Sequence, residues 1–227
     1  MARKKQSQGT CKFCGREMSK GGMSRHLSAC PQRLVTIEDA NHKSGRTQKI
    51  FHLQVQDAWR GDYWLHLEMN GQAQLAALDG YLRGIWLECC GHLSHFSIGG
   101  WGGVEISEGN RAEKVFKEGV ELTHLYDYGT TSATLVQMKG VREGQPLTRY
   151  PLTLMARNKP PEMGCMVCGE PAAWLCMECL IEEDETGTLC DQHVEDHPHD
   201  DYGEPLPIVN SPRLGMCGYE GPAEPPY

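Results

Sequence analysis

No stretch of the chain approaches the roughly 18 uncharged apolar residues that a membrane-spanning helix needs. The N-terminus, MARKKQSQGTCKFC, is basic but leads into no apolar segment of the kind a secretory signal requires. The chain is therefore expected in the cytoplasm, with no membrane partner. G-x-S-x-G, Walker and dinucleotide-binding fingerprints are also missing, and with them the most readable signatures of hydrolases and nucleotide-dependent enzymes. Basic residues are nearly absent from one region: residues 160–227 hold 1 Lys/Arg against 15 Asp/Glu, a net of -14. That end will repel phosphates.

What is present is strongly segregated. Residues 1–49 hold 11 Lys/Arg against 3 Asp/Glu, a net of +8, and residues 50–159 hold 10 against 12. The overall charge of -8 conceals this division. Summed charge governs partners and encounter rates rather than fold, so the two ends are expected to meet different partners, or the head to fold onto the tail. A length of 227 residues suits one or two domains.

The 11 cysteines follow the same division. An odd count, C-x2-C spacing, interleaved histidines and no export signal favour metal over disulfides. In the head, Cys11, Cys14, His26 and Cys30 stand at C-x2-C-x11-H-x3-C. A C-x2-C knuckle presents two thiolates from one turn, and His26 and Cys30 share a helix face, so the four can surround one Zn²⁺. Phe13, Met18, Met23 and Leu27 supply a small apolar core. In a two-Cys, two-His finger the base-reading positions would be Ser19, Gly22 and Arg25, of which only Arg25 can read a base edge bidentately. Lys4, Lys5, Lys12, Arg16, Lys20, Arg25 and Arg33 can grip phosphates without reading sequence. Residues 1–34 are thus a candidate nucleic-acid contact, with protein docking or a purely solubilising role as the alternatives.

The middle of the chain has a different texture. Phe51, Leu53 and Val55 alternate with polar neighbours, and WLHLEM repeats the pattern after a turn at residues 60–62, predicting a hairpin. Leu75, Leu78, Leu82, Ile85 and Leu87 follow at approximately helical spacing. HLSHFSIGG, GVEIS, LTHLYDYG, ATLVQMKGV and YPLTLMAR read as further strands. The order predicts an α+β fold, a mostly antiparallel sheet with one main helix. Trp59, Trp64, Trp86 and Trp101 are expected to staple its core.

The segments YWLHLEM, LDGYLRGIWLECCGHLSHFSIGG, VFKEGVELTHLYDYGTT and VNSPRLGMCGY resemble the plasmid pRiA4b ORF-3-like family, also labelled insertion-element passenger proteins. The resemblance covers roughly residues 48–158 and implies an α+β fold and a neighbourhood of mobile DNA. It implies no activity. Within this domain Cys89, His92 and His95, with His124 and Asp127, could form a nucleophile–base pair or a further metal site. The plainer reading packs Cys89 and Cys90 in the core and has Asp127 bond the turn amides of DYG.

In the tail, Cys165, Cys168, Cys176, Cys179, Cys190, His193, His197 and His199 form four ligand pairs. Their order resembles a B-box. The resemblance implies that Cys165, Cys168, Cys190 and His193 hold one zinc, and that Cys176, Cys179, His197 and His199 hold a second. The gap from Cys179 to Cys190, filled by an acidic tip at residues 182–185, is longer than in a B-box, and Cys217 could replace either late histidine. A single zinc ribbon from the four C-x2-C cysteines is the alternative.

The expected organisation is a basic finger (1–34), a linker (35–48), the α+β domain (49–158), an acidic B-box-like module (159–204) and a Pro-rich extended tail (205–227), with three Zn²⁺ per chain. The function expected is a non-enzymatic adaptor, touching nucleic acid through the head and protein through residues 159–227. An enzyme centred on the middle domain, a nuclease or hydrolase, and a scaffold self-associating through the B-box-like module are the alternatives.

Overall fold

Alternating apolar residues become strands and the helically spaced leucines become a helix in the computed structural model, which describes residues 6–87, 91–199 and 201–221. The N-terminal part contains strands β1 (Gln8–Cys11) and β2 (Glu17–Ser19), then helices α1 (Lys20–Ala29) and α2 (Pro31–Asn41). The hairpin β3 (Gln48–Asp57) and β4 (Trp64–Asn70) leads into α3 (Leu75–Leu82) and a π-helical turn, Arg83–Leu87. Next come β5 (Ser94–Ile98), β6 (Val104–Ile106), the short α4 (Ala112–Val115), β7 (Glu121–Tyr126), β8 (Ser132–Gly144) and β9 (Leu152–Asn158). The C-terminal part holds β10 (Trp174–Leu175), α5 (Met177–Ile181), β11 (Thr188–Leu189), α6 (Asp191–Val194), β12 (Leu206–Pro207) and a 3-10 turn, Met216–Gly218.

Nine strands form one antiparallel sheet in the order β2-β1-β9-β4-β3-β8-β7-β5-β6, and β11-β10-β12 form a second, small sheet. The fold is α+β with few helices. Side chains of successive strand residues point to opposite faces. Phe51, Leu53 and Val55 of β3 and Leu65 and Leu67 of β4 turn to one face, where Leu75, Leu78, Leu82, Ile85 and Trp86 cover them. This is the main core.

The opposite face carries Trp64, His66 and Glu68 of β4 and His52 and Gln54 of β3, mostly polar residues that alternation alone would leave in water. All five are buried. The N-terminal segment covers them. Strand β1 adds to the sheet beside β9, with Gly9 opposite Asn158 and Cys11 opposite Ala156. A side chain at Gly9 would collide with the Trp64 ring and the Arg157 carbonyl, so only glycine lets the strand approach this closely. Two sequence expectations change accordingly. Residues 35–41, read as linker, are the later part of α2. Arg33, read as a phosphate contact, is buried: it donates to Glu68 Oε1 at 2.6 Å, and Glu68 is also paired with Arg142 at 2.7 Å. The charge that looked free in sequence fastens α2 to the sheet.

The tail returns to the body rather than projecting from it. Strand β12 pairs with β10, and Leu175 and Leu214 join the main core. Ser211 Oγ donates to the Trp86 carbonyl at 2.5 Å, Arg213 pairs with Asp127 at 2.9 Å, and Tyr219 donates to the Gly84 carbonyl at 2.8 Å. The Arg83 and Arg213 guanidinium groups both lie over the Tyr126 ring, at 4.9 and 5.3 Å from its centroid. Of the four tryptophans expected in the core, Trp64 and Trp86 are fully buried, whereas Trp59 and Trp101 are exposed on loops.

Removing one partner of a buried charge cluster strands the others in low dielectric. Glu68→Gln is therefore expected to lower unfolding free energy by about 3 kcal/mol in urea titrations. The buried imidazoles predict a pH response. His52 Nε2 and His66 Nδ1 lie 2.8 Å apart. Burial, reinforced by Arg33 and Lys139, lowers His52 to about 4. Burial, reinforced by His52, Lys139 and Lys20 against an opposing carbonyl of Lys20, lowers His66 to about 3. The unfolded chain binds these protons near pH 6.5 and the folded chain does not, so stability is complete above about 6.5 and falls as pH drops toward 4. Between pH 7 and 5 the loss should be roughly 2 kcal/mol per histidine, and His66→Gln should flatten the urea-midpoint profile relative to wild type.

Candidate metal centres

The first ligand knuckle forms because β1 ends in a tight turn. Gly15 adopts φ +72°, and its N–H donates to the Cys11 carbonyl at 2.9 Å, folding Cys11 and Cys14 toward one point. Helix α1 brings His26, and its C-cap residue Cys30 follows four positions later. Cys14 Sγ and His26 Nε2 are 3.2 Å apart. The apolar floor consists of Met23 and Leu27, but also of Trp64 from β4 and Met155 and Ala156 from β9. The sequence shows the finger's own share of this core and gives no sign of the sheet's.

The tail contains two further groups. Cys165 and Cys168 sit on a turn closed by Gly169, at φ +78°, while Cys190 caps α6 and His193 lies within it. Cys176 caps α5, Cys179 lies in its first turns, and His197 and His199 follow α6. The groups interleave along the chain: Cys165, Cys168, Cys190 and His193 meet at one point, and Cys176, Cys179, His197 and His199 at another. Strands β10 and β11 tie the two together, pairing Trp174 with Leu189.

In all three groups the four ligand atoms lie within 4.8 Å of one another. Donors at 2.0–2.3 Å from a tetrahedral ion stand about 3.3–3.8 Å apart. The pairs Cys179–His197 at 3.3 Å, Cys165–His193 at 3.7 Å and Cys168–Cys190 at 3.8 Å match those edges, and Cys190–His193 and Cys14–His26, both at 3.2 Å, fall about 0.1 Å short of them. Each group could therefore hold a metal ion. The thiols resist ionising together. Burial pushes Cys179 up to about 12, and the neighbouring Cys176 sulfur adds to the shift. At Cys165 burial is outweighed by the N–H groups of Cys168, Val167 and Cys190, which hold it at about 6. A dication satisfies such crowded donors where protons cannot.

The other sequence candidates are dispersed. Cys217 belongs to none of these groups; its sulfur lies 3.7 Å from Arg213 Nη2. Cys89, Cys90, Lys4 and Lys5 fall outside the described residues. His92 approaches Asp127 at 3.6 Å, but Asp127 also pairs with Arg213 and accepts from the Gly129 and Thr130 amides. His95 bonds the Tyr128 hydroxyl at 2.6 Å. His124, fully buried, bonds Asp79 at 2.8 Å, and Asp79 also accepts from Ser94 and Arg83. Asp79, Ser94 and Arg83 form a partly buried network that no spacing in the sequence announced. Among the expected phosphate contacts, Lys12, Arg16 and Arg25 are exposed, while Lys20 is half-buried and donates to Gln56 Oε1 at 2.5 Å.

No family model and no curated protein matches the chain. Among solved structures, a protein of unknown function, MM3350 from Methanosarcina mazei Go1, is similar at 16% identity and a TM-score of 0.40, over 47% of this chain and 68% of that one. No helix among the described residues is long and apolar enough to cross a membrane.

Metal analysis of the intact protein is expected to return three ions per chain, one for each group. Cys14→Ser and Cys179→Ser should each remove one. Losing two ions with Cys179→Ser would show instead that the tail pair binds cooperatively as a unit.

Proposed function

We propose that the chain is a non-enzymatic, zinc-dependent adaptor that contacts nucleic acid through its basic N-terminal part and protein through its acidic C-terminal part. The observation that carries the reading is the completeness of the donor sets: each group supplies four Cys/His atoms and no fewer. A tetrahedral ion held by four protein ligands keeps no open position for water or substrate, which suits structural rather than catalytic metal. Thiolate and imidazole donors in a tetrahedron suit zinc.

Charge assigns the ends. Lys12, Arg16 and Arg25 stand exposed on the finger. Only Arg25 occupies a base-reading position, so contact to phosphates without strong sequence preference fits better than an address on DNA. The acidic segment at residues 182–185 is exposed after α5 and fits a basic protein surface. A setting in mobile DNA follows from the resemblance to the pRiA4b ORF-3-like family and belongs to this reading.

Binding of the zinc-loaded, full-length protein to mixed-sequence DNA and RNA, single- and double-stranded, tests the nucleic-acid half. Affinity should fall linearly on a log–log salt plot, as counterion release requires. Absence of binding even at low salt would overturn it, leaving the acidic face and its protein partner as the whole function.

A further inference from the structure

Helices α1 and α2 cover the polar face of the sheet incompletely. Between them and the ribbon of β3 and β8 runs a groove of about 520 Å³. Arg25 reaches its wall from α1 and Lys139 from β8, two elements separated by more than 100 residues. Both are exposed, and neither is paired with a carboxylate among the described residues. Lys139 gives one hydrogen bond, to Gln137 Oε1 at 2.6 Å, leaving two of its three protons free. In the same lining, buried Arg33 and partly buried Arg142 share the single carboxylate of Glu68, so this triad itself carries a positive excess. Glu143 is the one acidic residue of the lining. The walls contain no Phe, Tyr or Trp on which a base could stack, but Ser24 offers a hydroxyl.

We propose that this groove is a binding site for the phosphodiester backbone of nucleic acid, with successive phosphates held by Arg25 and Lys139. The inference rests on the nucleic-acid reading above and deepens it. It moves the contact from the outer surface of the finger, around Lys12 and Arg16, to a composite surface between α1, α2 and the β3–β8 ribbon. Cations without aromatic platforms select backbone over base, so recognition here is independent of sequence. Arg33 and Arg142, already engaged by Glu68, act through the field they project.

The test uses the full-length, zinc-loaded protein and fluorescently labelled mixed-sequence oligonucleotides, single-stranded and duplex, titrated across a salt series. Lys139→Glu and Arg25→Glu should each weaken binding by about tenfold or more and reduce the salt slope by about one. Lys139→Arg should retain wild-type affinity. Unchanged urea midpoints and metal content separate these effects from misfolding. If both reversals bind like wild type while Lys12→Glu with Arg16→Glu binds weakly, the groove is not the site and the finger's outer face is. If the wild-type protein binds no nucleic acid, the broader reading falls and the groove proposal falls with it.

Discussion

The pairing of β1 with β9 is the contact on which the rest of the molecule depends. A four-ligand finger of this size has few apolar side chains of its own, and Met23 and Leu27 alone do not make a core. By adding its strand to the sheet edge, the finger places Cys11 opposite Ala156 and closes over Trp64, which lies fully buried between metal ligands and sheet. The metal group and the sheet thus share one apolar floor. An ion held there would tie a sheet edge to the finger, and losing Gly9's close approach would unseat both.

The same covering turns a polar face into an interior. His52, His66 and Glu68 would be ordinary exposed residues on an open antiparallel sheet. Beneath α1 and α2 they must be satisfied within the protein. Glu68 is met by two arginines from different elements, and the histidines meet each other as neutral rings. Burying such groups gains little net stability compared with apolar packing. It does fix where the helices sit, since only one placement of α2 brings Arg33 to Glu68.

On the other face the tail does comparable work with different chemistry. Asp127, held at φ +63° in the turn after β7, receives both turn amides and Arg213, which keeps its carboxyl below the usual range despite burial. Arg213 in turn lies over the Tyr126 ring, as Arg83 does. The finger therefore packs on one face of the sheet, and Leu175 and Leu214 of the tail pack into the core on the other.

Local spacing was enough to read the metal groups and most of the strands, because a C-x2-C turn, a histidine and a cysteine four apart on a helix, and a two-residue alternation are each determined by backbone geometry over a few residues. The grouping of the tail ligands was expected from the resemblance to a B-box rather than from spacing, and the two Cys/His groups of the structure have that membership. The sequence could not say which face of a strand would be covered, since alternation gives two faces and names neither. Only the tertiary structure decided that the finger joins the sheet, that α2 occupies part of the apparent linker, that Arg33 is a buried partner of Glu68, and that Arg25 and Lys139 face one groove. Each of these depends on contacts between residues tens of positions apart, and long-range pairing of that kind leaves no periodicity to read.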